Sequence, residues 1–211
     1  MTRIAIGAVS IAALVALCAL ALPRGLADLR AFEVRMFFKS WETKRREPTA
    51  EEWTLALGKI QEARDLDPGQ PNYHEDIARL YQFPAHEDLR KALDFQKQAV
   101  RLRPGSPYTW ANIAQLKARL PEPDGEFETA LRNAALLGPW EPEVQLMIAE
   151  AGFRHWNTLT PETRVAMRSN ATRALRWQDA KLFTLARRTG RLDVLCGLTG
   201  VQRSPLSRAC I

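Results

Sequence analysis

The stretch Ala56-Leu57-Gly58-Lys59-Ile60-Gln61-Glu62-Ala63-Arg64-Asp65-Leu66-Asp67-Pro68 decides the fold, because its skeleton returns twice. Ala92, Gln96, Ala99 and Pro104 repeat the spacing, and so do Phe127, Leu131, Ala134 and Pro139. The prolines recur about every 35 residues, a period that marks stacked helix pairs rather than one shared centre. Small residues let two helices approach, large ones fill the gap to the next pair, and the proline stops the second helix. The expected class is all-α, an α-solenoid of degenerate helix hairpins.

Working outward, Thr49-Ala50-Glu51-Glu52 has the form of a capping box and opens a helix that Asp67-Pro68-Gly69 ends near Leu66. Further helices are expected over Pro71–Phe83, Asp88–Arg103, Tyr108–Leu120 and Glu126–Leu137, with Pro121 to Gly125 as a turn. Ile77, Ala78 and Tyr81 face inward in the second pair, and Trp110, Ile113 and Ala114 in the third. Beyond them, Thr160-Pro161 starts a helix reaching about Trp177, Asp179 caps another that Gly190 ends, and Arg191–Leu198 is a short last one.

These positions resemble the consensus of tetratricopeptide repeats over residues 49 to 155, on Ile77, Ala78, Tyr81, Ala92, Ala99, Pro104, Trp110, Ile113 and Ala114. Gln96 and Lys117 depart from it, standing where large apolar residues are usual. A narrower run, Leu137-Gly138-Pro139-Trp140-Glu141-Pro142-Glu143-Val144-Gln145, followed by Trp156 and Leu159-Thr160-Pro161-Glu162, is similar to the VpsP-type bacterial exopolysaccharide biosynthesis family. That resemblance implies a membrane-anchored accessory factor whose partners are proteins of a polysaccharide machinery.

The apolar run Ile4 to Leu22 is about as long as a helix that crosses a hydrocarbon core. An uncleaved anchor is the preferred reading, with Ala19-Leu20-Ala21 keeping cleavage open. From Gly25 to Arg46 helical periodicity continues, with Leu26, Leu29, Phe32, Val34, Met36, Phe37 and Trp41 as its apolar face. Packing on Trp53 and Leu57 as the first solenoid helix is the preferred reading there, a lipid-surface helix the alternative. Arg24, Arg30, Arg35, Lys39 and Lys44-Arg45-Arg46 follow the span and favour a cytoplasmic C-terminal part. Cys196 and Cys210 point the other way: joined, they would close a loop worth about 3 kcal/mol, and stable disulfides belong to exported domains. Two free thiols are the alternative. On balance the sequence favours a bacterial inner-membrane protein with a periplasmic domain.

The net charge of +6 is modest, and no basic stripe is interleaved with aromatics, so nucleic acid is not an expected partner. His74, His86 and His155 have no metal-ligand spacing, and no phosphate loop, nucleophile elbow or dinucleotide fingerprint occurs. No catalytic residue, metal or cofactor is therefore expected. Asn170-Ala171-Thr172 is a glycosylation sequon inside a helix. Among Trp53, Trp110, Trp140, Trp156 and Trp177, only Trp140, between two prolines, is as well suited to a ligand as to packing. The expected organisation is an anchor or signal at 1–23, a linker or first helix at 24–48, a solenoid at 49–160 and a helical cap at 161–211. The expected function is a non-catalytic scaffold for protein partners. Direct carbohydrate binding through exposed tryptophans is the alternative, and assembly of another envelope complex a third reading.

Overall fold

The structure, a computed structural model, describes residues 2–121, 124–198 and 210, with side chains from Ser10 onward. Ten α-helices and two short 3-10 turns make up the described residues, which include no strand. The chain divides into two compact units, Met1–Leu102 and Arg103–Ile211. That boundary falls inside the repeat segment, where the helix pattern leaves no mark.

The first unit holds α1 (Thr2–Lys44), α2 (Ala50–Leu66), α3 (Pro71–Leu80) and α4 (Leu89–Leu102). Helix α1 runs 43 residues without a break and contains Pro23, so the apolar segment and the segment after it belong to one continuous helix. It is long and apolar enough to cross a membrane. Past the apolar run it buries Ala27, Ala31, Val34, Phe38 and Trp41, a three-four spacing that lays one stripe against α2 and α3. The broad face read from the sequence is corrected here. Val34 and Trp41 are buried and Phe37 partly so, but Leu26, Leu29, Phe32 and Met36 are exposed, because α1 has neighbours on one side only. Trp53 and Leu57 do pack on that core.

Helices α1 and α2 are antiparallel, as Arg30–Glu62 at 3.1 Å and Lys59–Glu33 at 2.5 Å establish. Helices α1 and α3 run parallel: Tyr73 donates to Asp28 at 2.7 Å, Arg35 to Asp76 at 3.0 Å, and Arg79 pairs with Glu42. Ala56, Ile60 and Ala63 of α2 are fully buried, so the quoted stretch presents its small residues to the interface. The Thr49 capping box forms in full: Thr49 Oγ1 accepts from the Glu52 amide and Glu52 accepts from the Thr49 amide. Helix α3 ends at Leu80, three residues before the expected Phe83, and its last turn leads into the 3-10 turn Pro84–His86.

The second unit holds α5 (Pro107–Arg119), α6 (Gly125–Leu137), α7 (Pro142–Arg154), α8 (Pro161–Ala174), α9 (Asp179–Arg188) and α10 (Leu192–Cys196). Helix α5 pairs with α6, and α7 packs on α5, α8 and α9. Alternate helices are again parallel. Tyr108 reaches Glu141 and Gln115 reaches the Met147 carbonyl from α5 to the α7 region. Gln178 reaches the Pro142 carbonyl, Arg188 reaches Glu150, and Arg191 reaches the Phe153 carbonyl from the α9 region to α7. Helix α9 ends at Arg188, and Gly190 in the turn that follows has a φ of +69°, in the left-handed region where a residue without Cβ is unstrained. Cys196 and Cys210 are joined as a disulfide, their Cα atoms 5.5 Å apart.

Candidate functional site

Most of the residues singled out for repeat packing lie inside. Ala56, Ala63, Ile77, Ala78, Ala92, Ala99, Ile113, Ala114, Phe127 and Ala134 are buried, while Tyr81 and Trp110 are half-buried. Pro68 and Pro104 are exposed, and Pro139 is half-buried; they act as stops after α2, α4 and α6, where the turn is solvated. Trp110 Nε1 donates to the Pro104 carbonyl at 2.8 Å, so the half-buried indole latches the turn that precedes it.

The two polar departures from the repeat pattern are buried. Gln96 is 2% exposed with Oε1 unpartnered by the described residues. Lys117 threads its stem through the core and puts Nζ 2.6 Å from both Asp124 and Glu126 across the α5–α6 turn. Burial works against that ammonium, but the two carboxylates prevail and raise its pKa. Asp124 in turn accepts from the Phe127 amide and so caps α6, and Lys117 holds its carboxyl below the usual range.

Five tryptophans were candidates for a ligand, and their surroundings separate them. Trp53 donates to the Leu80 carbonyl at 2.9 Å and stacks on His86 at 4.4 Å. Trp156 is buried, with the Arg168 guanidinium over its ring. Trp140 and Trp177 are instead 62% and 77% exposed. The exposure of Trp177 corrects its placement on an apolar helix face: α8 ends at Ala174, so Trp177 falls in the following turn.

The turns carrying these two indoles are held together. Arg173 donates to the Pro139 carbonyl at 3.0 Å, Gln145 to the same oxygen at 2.8 Å, and Gln178 to the Pro142 carbonyl at 2.6 Å. Trp140 is thus carried between two anchored prolines, and Trp177 immediately precedes one of the anchors. Tyr108, partly exposed, donates to Glu141 at 2.9 Å beside Trp140. Two exposed indoles therefore stand on turns held by three side-chain bonds.

Asn170 is fully buried and its Nδ2 donates to the Gln145 carbonyl at 2.9 Å, so the sequon nitrogen points into the α7–α8 interface. Among the described residues no group of three His, Cys, Asp or Glu side chains is placed to hold a metal. His155 bonds the Ala118 carbonyl at 2.9 Å and His86 lies against Trp53.

Two features escaped the sequence reading. One is α7, which begins at Pro142, the same first-turn proline signal that marks α8 at Pro161. The other is Glu128, whose carboxylate leaves its own helix to meet the start of α8. It accepts from the Thr160 amide at 3.1 Å and from the Thr160 and Thr163 hydroxyls. Burial pushes its pKa up, but those donors and Arg132 outweigh burial and lower it.

The fold and its site define an all-helical protein with one long apolar N-terminal helix and a solvent-facing aromatic edge. No protein-family model and no curated protein matches the chain.

Proposed function

We propose that this chain is a non-catalytic, membrane-anchored scaffold of tetratricopeptide-like helix hairpins that binds a protein partner. The observation that carries the reading is that side-chain partners on parallel alternate helices lie between 32 and 45 residues apart in sequence. Those partners are 45, 41 and 37 residues apart between α1 and α3. They are 33 and 32 apart between the α5 and α7 regions, and 36 to 38 between α7 and α9. An offset near one sequence period is what hairpin laid on hairpin produces. Such arrays expose helix faces that accept a helix or an extended peptide.

The anchor is α1, and the disulfide supports a domain outside the reducing cytoplasm, in the periplasm of a bacterium. A role beside a polysaccharide-synthesising or exporting machinery rests only on the likeness of the Leu137–Gln145 run with Trp156 and Leu159-Thr160-Pro161-Glu162. Affinity capture of the full-length chain from detergent-solubilised native membranes tests it. Envelope polysaccharide proteins among the partners are expected, and recovery of cytoplasmic proteins alone would count against the proposal.

A second reading is favoured by Trp140 and Trp177: direct contact with a glycan, whose sugar rings offer apolar C–H faces to an indole. Titrating intrinsic fluorescence with an acidic polysaccharide separates the two. Quenching that Trp140→Ala and Trp177→Ala abolish would favour glycan binding; unchanged emission leaves the protein scaffold ahead.

A further inference from the structure

The folded part of the first unit begins where the apolar run of α1 stops. Over residues 10–22 every side chain of α1 is exposed; Pro23 is half-buried, and Ala27 is the first residue fully covered. Arg30–Glu62 and Glu33–Lys59 fix the antiparallel register of α1 and α2, one residue forward on α2 for one residue back on α1. That register sets Leu66, the last residue of α2, level with Leu26. The turn over residues 67–70, in which the Gln70 amide donates to the Asp67 carbonyl, then closes the hairpin. Tyr73, at the start of α3, donates to Asp28 from the far side of that turn.

The helix therefore passes from apolar run to folded unit without a stalk. At a rise of 1.5 Å per residue, Leu66 stands about 6 Å past Leu22 along the axis of α1. The headgroup layer is about 5–7 Å deep in each leaflet, so the turn that ends the α1–α2 hairpin falls inside it. A bend at Pro23 would swing the far end of the unit much more than this turn, because packed helix axes stand about 8–10 Å apart and the turn lies beside the pivot. The opposite end of α2 is well clear: Glu51 is level with Trp41, about 30 Å past Leu22.

The geometry points to the bilayer that holds α1 as a binding partner of the first unit as well, with the α2–α3 turn seated among phospholipid headgroups. The residues at this end suit a boundary layer and neither phase alone. Leu26 and Leu66 are 44% and 38% exposed, apolar side chains that water leaves without a partner. Arg24 Nη1 donates to the Leu20 carbonyl at 3.3 Å, so its guanidinium reaches back along the helix toward the span. No carboxylate among the described residues pairs with it, which leaves its other donors for a lipid phosphate. Asp65, Asp67 and Gln70 set the opposite limit. Hydrocarbon would reject them, so the turn stops α1 from sliding deeper.

This inference rests on the reading of α1 as a membrane span, and the test separates the two. The full-length chain carrying Cys18→Ser and one added cysteine is labelled with bimane. It is reconstituted in vesicles of phosphatidylethanolamine and phosphatidylglycerol that contain headgroup-nitroxide lipid in both leaflets. Gly69→Cys, whose position has open space around it, is expected to lose most of its emission to the nitroxide. Leu66→Cys is expected to do the same, and Glu51→Cys to keep its emission, each with circular dichroism like that of the parent chain. Retention of the chain through an alkaline carbonate wash with no quenching at 66 and 69, or with equal quenching at 51, overturns the seating and leaves the span standing. Release of the chain by carbonate overturns the span, and the seating with it.

Discussion

Gly138 shows how much one missing methyl group can matter. A Cβ there would lie 2.7 Å from Cβ of Pro107, a rigid ring at the start of α5 that cannot rotate away. Gly138→Ala is expected to cost about 1–3 kcal/mol of stability in the second unit, read from a urea midpoint. Gly152 is the contrasting case, because its crowding comes from the flexible Met167 side chain, which can repack.

His74 is 6% exposed, with Nδ1 unpartnered among the described residues and its ring beside Phe95. Burial lowers its pKa below the usual 6.5, although a hydrogen bond with the Pro68 carbonyl opposes the shift. The unfolded chain then binds the proton first. Stability is present above pH 6.5 and falls as the solution is acidified below it. Unfolding curves at pH 7.5 and 5.5 should show that loss, and His74→Phe should reduce it. Glu52 gives a second window. Arg46 and the Thr49 amide hold its pKa at about 2, so the cap on α2 persists as the pH drops past 4.5 and opens only as it nears 2.

At the level of elements, helix ends are tied by carboxylates from elsewhere in the chain. Removing Glu128, as Glu128→Ala, leaves the Thr160 amide and the Thr160 and Thr163 hydroxyls without the carboxylate that accepts from them. It is expected to cost about 1–3 kcal/mol, with exchange protection lost first near Thr160 and Thr163. The Lys117 triad should respond asymmetrically. Lys117→Met leaves two carboxylates that water can reach, and should change stability by less than about 1 kcal/mol. Asp124→Ala removes the α6 cap and one counter-charge of a buried ammonium, and should cost about 2–3 kcal/mol in the same assay. The triad's contribution is full between the usual Asp range and pH 10.5, and it falls as alkali carries the solution from 10.5 through the raised pKa of Lys117.

For the whole molecule, the Cys196–Cys210 bond closes a loop spanning 14 positions, so Cys210→Ser should lower stability by about 3 kcal/mol. Thiol labelling of the native, unreduced chain is expected to leave Cys196 and Cys210 unmodified. Labelling of all three cysteines would remove the support for an exported domain. A C-terminal fusion reporter active only after export reads orientation directly, and it weighs the disulfide against the run of cations that follows the apolar segment.

The sequence by itself determined most of the elements, with α7 the one helix left unread. Capping residues, first-turn prolines and small residues at helical spacing act within one or two turns of the chain, so Thr49, Pro161, Ala63 and Ala99 announce their helices without help. It also marked the N-terminal run as apolar enough to span and left Cys196 and Cys210 open between a bond and two free thiols, which the structure decides for the bond. Tertiary structure alone decided which of two apolar stripes on α1 is covered, that Trp177 stands in water past the end of α8, and that Glu128 serves a helix 32 residues away. Local signals fix dihedral angles. Neighbours brought from distant parts of the chain fix which face of a helix, and which end of it, has company.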